Sequence, residues 1–480
     1  MTLPADFVVH LNRYTRVVDD GQALLGGSPT RYVRLSGSAR AALRGREVRA
    51  DTPAGARLAD TLLELGMADP VLALLPDREA QYTVVIPVMD RANELDRLLG
   101  SIDAATPAGH PERRPRIIVV DDGSADPAPI AAVAACHGAE CVRLPQNVGP
   151  GGARNAGLAQ VETEFVVFVD SDIVVNAETI PLLLRHFADP KVATAVPRIV
   201  GLAGSETWIA RYEDARSSLD LGANPAAVKP RSPVAWASSA CLVARVAALG
   251  DGFDASMRVG EDVDLAWRLT EAGWRIRYEP AAFAEHEHRA RFGDWITRKA
   301  IYGTGAHPLA ERHPGAIAPA ILAPWSVGVI LSLMAQRRWS VPAAAAISAV
   351  TVLRIARRLR SARRPYALAA FLAGNGVVSA AAQASALLLR HWWPVALVGC
   401  ILSRRMRRVV AVAAIADIAL EYRRTPARLD VVRFGLAKRL DDLAYGFGVW
   451  KSAVRGRSVR ALLPEITRSR GGARTPRGSA

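Results

Sequence analysis

A five-residue apolar run, Phe165-Val-Val-Phe-Val, followed at once by Asp170-Ser-Asp172, constrains this chain more than any other feature. A run this short, made of β-branched and aromatic side chains, reads as a strand buried on both faces, so other elements must cover it on either side. An isolated acidic pair after a strand is often no more than a turn. In extended chain, however, residues two apart share a face. An Asp-x-Asp leaving a strand would then aim both carboxylates at one point, as a hard divalent cation beside a diphosphate requires.

The surroundings favour the second reading. From Gln81 to about Gly303 strand-like and helix-like segments alternate: a strand over 82–87, a helix over 93–102, a strand over 116–120, a helix over 129–136, a strand over 141–144 and a helix over 153–159. This predicts an α/β fold with a mostly parallel sheet and crossover helices, whose ligands bind beyond the carboxyl ends of the strands. The polar motifs fall at those ends. Val85-Ile-Pro87 leads into Asp90-Arg91-Ala-Asn-Glu94, and Val119-Val120 leads into Asp121-Asp122-Gly123-Ser124. The paired acid offers acceptors for a uracil imide N–H and for ribose hydroxyls, with the glycine letting a base lie close to the backbone. Asn147-Val-Gly149-Pro-Gly151-Gly152-Ala-Arg154-Asn155-Ala-Gly157 is a turn feeding a helix, whose N-terminal amides and guanidinium suit a diphosphate. Downstream, Gly260-Glu261-Asp262-Val-Asp264 opens an amphipathic helix with its acids in the first turn, where the helix dipole favours negative charge. An ordinary capped helix looks the same. Asp264 and Arg268, four apart, are expected to form a structural pair.

In this order the motifs resemble the family 2 glycosyltransferases of the GT-A fold, over about residues 81–300. The resemblance implies that Pro87, Asp90, Asp121 and Asp122 hold the uridine part of a UDP-sugar, with Asp90 standing where the family usually has Asn. Arg154 would lie near the diphosphate, Asp170 would bind the nucleotide sugar, and Asp172 would be the principal metal ligand. The Glu261-Asp262 pair would supply the general base that takes the acceptor hydroxyl proton. The residues themselves do not choose between the two acids; we assign Asp262 as base and Glu261 as a supporting or acceptor-binding group. The family also places a His beyond a Tyr-x-Pro turn in the metal site, and counting from Pro280 picks His286, leaving His288 spare. Two protein ligands and diphosphate oxygens suit Mn2+ or Mg2+ rather than zinc. Single displacement with one base implies inversion at the sugar.

Residues 1–78 read as a β-hairpin followed by helices. They resemble the small winged-helix peptide-recognition domains of pathways that modify ribosomally made peptides, the alternative being a helical cap on the next domain. With this unit and the Lys299-Ala-Ile-Tyr302-Gly-Thr-Gly-Ala segment, the chain resembles family members that glycosylate a peptide-derived redox cofactor, which implies UDP-glucose as donor and a short β-linked glucan as product. The alternative is a cell-wall rhamnosyl- or galactofuranosyltransferase, separated from the first reading by the N-terminal unit alone. A catalytically dead sugar-nucleotide sensor would be favoured by loss of Asp172, Asp262 or His286, and all three are present.

The formal net charge of +15 suggests an anionic partner. The basic clusters flank apolar runs and lack interleaved aromatics for base stacking, which points to an anionic membrane and away from nucleic acid. Residues 316–335 and 366–389 carry no charge and meet the spanning length of about 20 residues, whereas 340–353 and 391–403 are shorter and read as return legs or re-entrant segments. The arginines from Arg354 to Arg364 and from Arg404 to Arg408 would be cytoplasmic; Arg337 and Arg338 would not, unless the first hairpin is shallow. The expected layout is a peptide-recognition-like domain over 1–78, a glycosyltransferase domain over 79–312, membrane helices over 313–420, and a basic amphipathic then disordered tail over 421–480. No secretory signal pattern opens the sequence. The catalytic domain is therefore expected on the cytoplasmic side of the cell membrane. Four cysteines without C-x-x-C spacing argue against structural zinc or a disulfide framework and read as core thiols.

Overall fold

The structure is a computed structural model that describes residues 2–106, 114–202, 207–288, 291–425 and 428–467. The tail after Ser469, expected to be disordered, lies outside the described residues. The chain divides after Phe292 into two compact units.

The first unit opens with β1 (Val8–Leu11), β2 (Arg16–Val18), β3 (Ala23–Gly26), β4 (Arg31–Arg34), α1 (Gly37–Ala42), β5 (Leu43–Arg44), β6 (Glu47–Arg49), α2 (Pro53–Leu65) and β7 (Ala68–Pro70). The expected hairpin is the start of a β2-β3-β4 meander, and a second sheet runs in the order β5-β6-β1-β7. Helix α2 shows how the sequence specifies these pieces. The Thr52 hydroxyl accepts from the Gly55 amide at 3.0 Å, Pro53 takes the first turn, and Gly66 ends the helix at φ 65°. Leu58, Ala59, Leu62 and Leu63 recur at helical spacing and pack with Val9, Leu11, Leu24 and Val48 into one small core.

The larger part of this unit follows as β8 (Tyr82–Val88), α3 (Ala92–Ala105), β9 (Arg116–Asp121), α4 (Ala128–Cys136), β10 (Glu140–Arg143), α5 (Pro150–Leu158), β11 (Phe165–Val169), β12 (Ile173–Val175), α6 (Thr179–Arg185), β13 (Val192–Gly201), α7 (Trp208–Arg216), β14 (Ala226–Ala227), β15 (Cys241–Arg245), α8 (Val246–Leu249), α9 (Glu261–Glu271) and β16 (Arg275–His286). The sheet order is β10-β9-β8-β11-β15-β13-β16-β12, with β14 on β16. Strands β10, β9, β8 and β11 are parallel. Beyond them β15 enters antiparallel and β13 pairs parallel with β16. The sheet is thus parallel from β10 to β11 and mixed beyond β11. Leu95, Leu98, Leu99 and Ile102 of α3 cover one face over Val84, Ile86, Ile117 and Val119. On the other face α5 lies so close that a Cβ on Gly157 would stand 2.4 Å from Val85 Cγ1.

Two pairings position the site. Strand β12 runs antiparallel to β16 and sets Ile173 opposite His286, which carries Asp172 to the same place. At its other end β16 is held against the N-terminal elements. Arg277 Nη2 donates to Asp69 Oδ1 at 2.6 Å, Arg275 reaches Asp60 at 2.6 Å and Asp189 at 2.8 Å, and Lys191 reaches Asp60 at 3.0 Å.

The second unit is helical, with α10 (Phe292–Thr304), α11 (Ala306–Arg312), a short β17 (Ile321–Leu322), α12 (Pro324–Met334), α13 (Ser340–Arg358), α14 (Pro365–Ala386), α15 (Trp393–Leu402), α16 (Arg404–Arg424), α17 (Val431–Arg455) and β18 (Glu465–Ile466). Among the described residues two helices are long and apolar enough to cross a membrane, Ser340–Arg358 and Pro365–His391. This corrects the expectation for 316–335. Pro319 and Pro324 confine its helix to eleven residues after a β17 pairing, while the supposedly short 340–353 continues as helix through Arg354, Arg357 and Arg358. Arginine ends an apolar run without ending a helix, since it is a good helix former. The tail was also read too simply. Helix α17 buries Phe434, Ala437 and Val449, and its Lys438 is paired with Asp417 at 2.5 Å. Of the cysteines only Cys241 is buried; Cys136 and Cys141 are exposed, because α4 and β10 show them to solvent at the sheet edge.

Candidate active site

Strands β8, β9 and β11 end side by side, and their loops build one polar corner. Asp121, 1 % exposed, accepts the Ser124 amide on Oδ1 at 2.9 Å, while its Oδ2 is buried with no partner among the described residues. An orphaned buried carboxylate oxygen is costly unless a donor arrives, and a base imide N–H is a donor of the right kind. Asp122 is differently placed. Its two oxygens accept the amides of Val148 at 2.7 Å and Gly149 at 2.9 Å, so it braces the Gly-rich turn. Gly123, at φ 76°, is required for the same reason. A Cβ there would stand 2.7 Å from the Asn147 amide nitrogen, so the turn, and not a base, claims the space beside this glycine. Pro87 lies in β8 opposite Val120. Asp90 follows with φ 54°, held by its amide on Ser124 Oγ at 2.9 Å and by the Ala125 amide on its Oδ1 at 2.9 Å.

The Asp-x-Asp does not stay extended. Strand β11 ends at Val169, and the Ile173 amide closes a turn onto the Asp170 carbonyl at 3.1 Å, so the Asp-x-Asp lies in a turn and its two carboxylates take different partners. Asp170 accepts from Arg154 Nη2 at 2.5 Å. Asp172 Oδ2 accepts from Arg91 Nη1 at 2.5 Å and lies 3.7 Å from His286 Nε2. Burial alone would raise the Asp172 carboxyl, but His286 and Arg91 outweigh it and hold the group well below the usual carboxylate range.

Arg154 is 2 % exposed and joins Asp170 to Glu261, whose Oε1 it reaches at 3.0 Å, and its guanidinium lies 5.3 Å from the Phe253 ring centroid. Its charge is already shared between two carboxylates, so in this arrangement it organises the site from beneath. Helix α9 begins after Gly260, whose φ of 84° directs Glu261 and Asp262 into the first turn. Asp262 accepts the Val263 amide at 2.8 Å. Burial pushes its carboxyl up to about 7, with the Glu261 charge adding and Arg154 opposing. A carboxyl near neutrality can take a proton and pass it on at working pH. Asp264 and Arg268 form the expected structural pair at 2.8 Å, and His288, its ring centroid 6.0 Å from that of His286, has its Nε2 3.2 Å from Asp214 Oδ1. Arg91 is the site residue that the motifs missed. It follows a recognised strand end, but its partner lies 81 residues away and no local spacing reveals it.

A divalent cation fits one pair of donors here. Asp172 Oδ2 and His286 Nε2 are close enough to share a ligand, one a hard oxygen and the other an imidazole, a set suited to Mn2+ or Mg2+ when further oxygens come from elsewhere. Among the described residues no group of three His, Cys, Asp or Glu could hold a metal ion.

The fold is of the GT-A class, the architecture of nucleotide-diphospho-sugar transferases. Residues 83–240 match the family described as glycosyl transferase family 2, and residues 165–403 match glycosyl transferase family group 2. The chain is 43 % identical over 474 residues to the pre-mycofactocin glycosyltransferase of Mycobacterium tuberculosis, covering 97 % of this chain and 98 % of that protein. It is 29 % identical over 275 residues to the N-acetylglucosaminyl-diphospho-decaprenol L-rhamnosyltransferase of the same organism, covering 48 % of this chain and 86 % of that one. Likeness to solved structures is slighter: a mannosyltransferase from Pyrobaculum calidifontis in complex with GDP-Man and Mn2+ has a TM-score of 0.37 at 20 % identity, covering 64 % of this chain and 88 % of that one. The chain belongs to the family 2 glycosyltransferases.

Proposed function

We propose that this glycosyltransferase moves a hexose, glucose from UDP-glucose, onto the peptide-derived redox cofactor precursor of mycofactocin biosynthesis, with inversion, and extends it to a short β-linked glucan. The observation that carries this reading is the extent of the 43 % identity, which runs over 97 % of the chain and so includes the N-terminal unit. The likeness to the rhamnosyltransferase covers less than half of the chain. On this reading residues 1–78 recognise the peptide-derived acceptor and the sheet carries the donor.

The side chains divide the work. Asp121 offers its free buried oxygen to the uracil imide, while Asp122 and Gly123 hold the Gly-rich turn that frames the diphosphate. Asp262 accepts the acceptor hydroxyl proton as that oxygen attacks the anomeric carbon, and the sugar–phosphate bond breaks with its electron pair leaving on the nucleoside diphosphate. Burial and the Glu261 charge make Asp262 basic enough for this task, and Arg154 moderates them. Asp172 and His286 would hold Mn2+ or Mg2+, which supplies charge neutralisation for the leaving group when bound. The arginine-rich helical unit would rest on an anionic membrane with the catalytic unit on the cytoplasmic side. The exposed Val341, Tyr366, Val378, Ile401, Leu402 and Ile415 support that placement.

The test is a donor screen with purified full chain, Mn2+ or Mg2+, a panel of nucleotide sugars and the mycofactocin precursor, with products weighed by mass spectrometry. Metal-dependent hexose additions from UDP-glucose are expected. Transfer only to lipid-linked saccharides would move the protein to the cell-wall alternative while keeping the catalytic assignments.

A further inference from the structure

One carboxylate oxygen, Asp172 Oδ2, is claimed by two groups. Arg91 Nη1 holds it at 2.5 Å, and His286 Nε2 stands 3.7 Å away. Arg91 is placed there by backbone, not chance. Asp90 adopts the left-handed φ of 54°, a conformation unusual for a residue with a side chain, and is pinned on both its amide and its carboxylate by the Ser124–Ala125 loop. The chain therefore turns sharply at the end of β8, and Arg91 leaves that turn toward the β12–β16 edge. The Arg91 side chain keeps about a third of its surface open to solvent, which leaves room for it to take another position, whereas Asp172 is mostly buried. With Arg91 in this position, a dication on Asp172 would face its positive charge at close range, in a setting that screens it poorly.

We propose that Arg91 is a placeholder cation: it neutralises Asp172 while the donor is absent and transfers to the donor's diphosphate when that arrives, so that metal enters together with the nucleotide and not before it. This rests on the reading of Asp172 and His286 as the metal pair. A guanidinium matches phosphate oxygens as well as it matches a carboxylate, and the exchange leaves no charge unpaired. Such coupling is reciprocal, so nucleotide must tighten metal binding by the same factor as metal tightens nucleotide binding.

The test is Mn2+ titration of the full chain, followed by electron paramagnetic resonance of free Mn2+, with and without UDP. Four proteins are compared: wild type, Arg91→Met, Arg91→Lys and Asp172→Asn. For Arg91→Met, Mn2+ affinity without UDP should rise about tenfold or more, while UDP affinity in the presence of Mn2+ should fall by a similar factor, the size expected for losing one charge-assisted contact. Arg91→Lys should lie between, because it keeps the charge and loses the planar fork; it carries the same contrast if Arg91→Met does not fold. If removing Arg91 leaves Mn2+ affinity without UDP unchanged or weaker, the placeholder role is overturned and Arg91 merely orients Asp172. If Asp172→Asn binds Mn2+ with UDP as tightly as wild type, the metal assignment itself falls, which is a separate result.

Discussion

Glu261 and Asp262 are neighbours in the first turn of α9, yet they meet different surroundings. Glu261 has the Arg154 guanidinium on its carboxylate, whereas Asp262 has a backbone amide and burial. The sequence could not choose between them, because the discriminating partner lies over a hundred residues upstream. The structure favours Asp262 as the group poised near neutrality, at about 7. A base works only when ionised, so kcat/KM should fall as pH drops below about 7. In Glu261→Gln the negative neighbour is gone and Arg154 remains, so the Asp262 carboxylate is favoured and the acid limb should move to lower pH; a pH–rate profile checks the direction. Asp262→Ala should lower turnover by about 10²–10⁴-fold with circular dichroism unchanged, the usual range for a lost general base. Asp172→Ala, or removal of divalent metal by a chelator, should likewise abolish transfer, measured as product by mass spectrometry. Substantial residual transfer in either variant would remove that residue from its role. The sequence put Asp170 and Arg154 in the candidate site without showing that they pair with each other. Alternation in a strand placed Asp170 beside Asp172, and the turn that begins at Asp170 cancels that alternation.

Elements were legible where a run of apolar residues was bounded by turn chemistry. Strand β8, α3, β9, α4 and β10 fall within a few residues of their predicted spans, because Val, Ile and Leu recur there at strand or helix spacing. What failed to show was the antiparallel traffic beyond β11, since β15 and β13 pair through residues fifty to eighty positions apart and nothing in a local pattern sets that order. The second sheet of the N-terminal unit was hidden for another reason: its strands are two to four residues long, too short for periodicity. Gly157 serves helix-on-sheet packing, and Gly157→Ala would drive a methyl to 2.4 Å from Val85 Cγ1 and 3.1 Å from Val120 Cγ2. We expect it to destabilise the fold by about 1–3 kcal/mol, the range for overpacking a tight contact; a urea unfolding curve measures this, and an unchanged midpoint would show that α5 can shift freely.

At the scale of the whole molecule, the sequence shows that the excess positive charge borders apolar segments, but it does not show the helix boundaries, since arginine ends hydropathy without ending a helix. The full chain is expected to float with liposomes containing anionic lipid and to remain bound at high salt through its exposed apolar faces, with Arg404, Arg405, Arg407 and Arg408 changed to Gln weakening the low-salt component alone. Loss of all binding at high salt would mean that charge does the whole work. The N-terminal unit adds a last point. It owns a separate apolar core, yet its Asp60 and Asp69 complete the charges of Lys191, Arg275 and Arg277, which belong to the catalytic sheet. In evolutionary terms it is therefore not a cassette that could be gained or dropped freely: a lineage that lost it would inherit cations at Lys191, Arg275 and Arg277 that had each lost a carboxylate partner, and descendants without the unit should carry compensating replacements at those three positions.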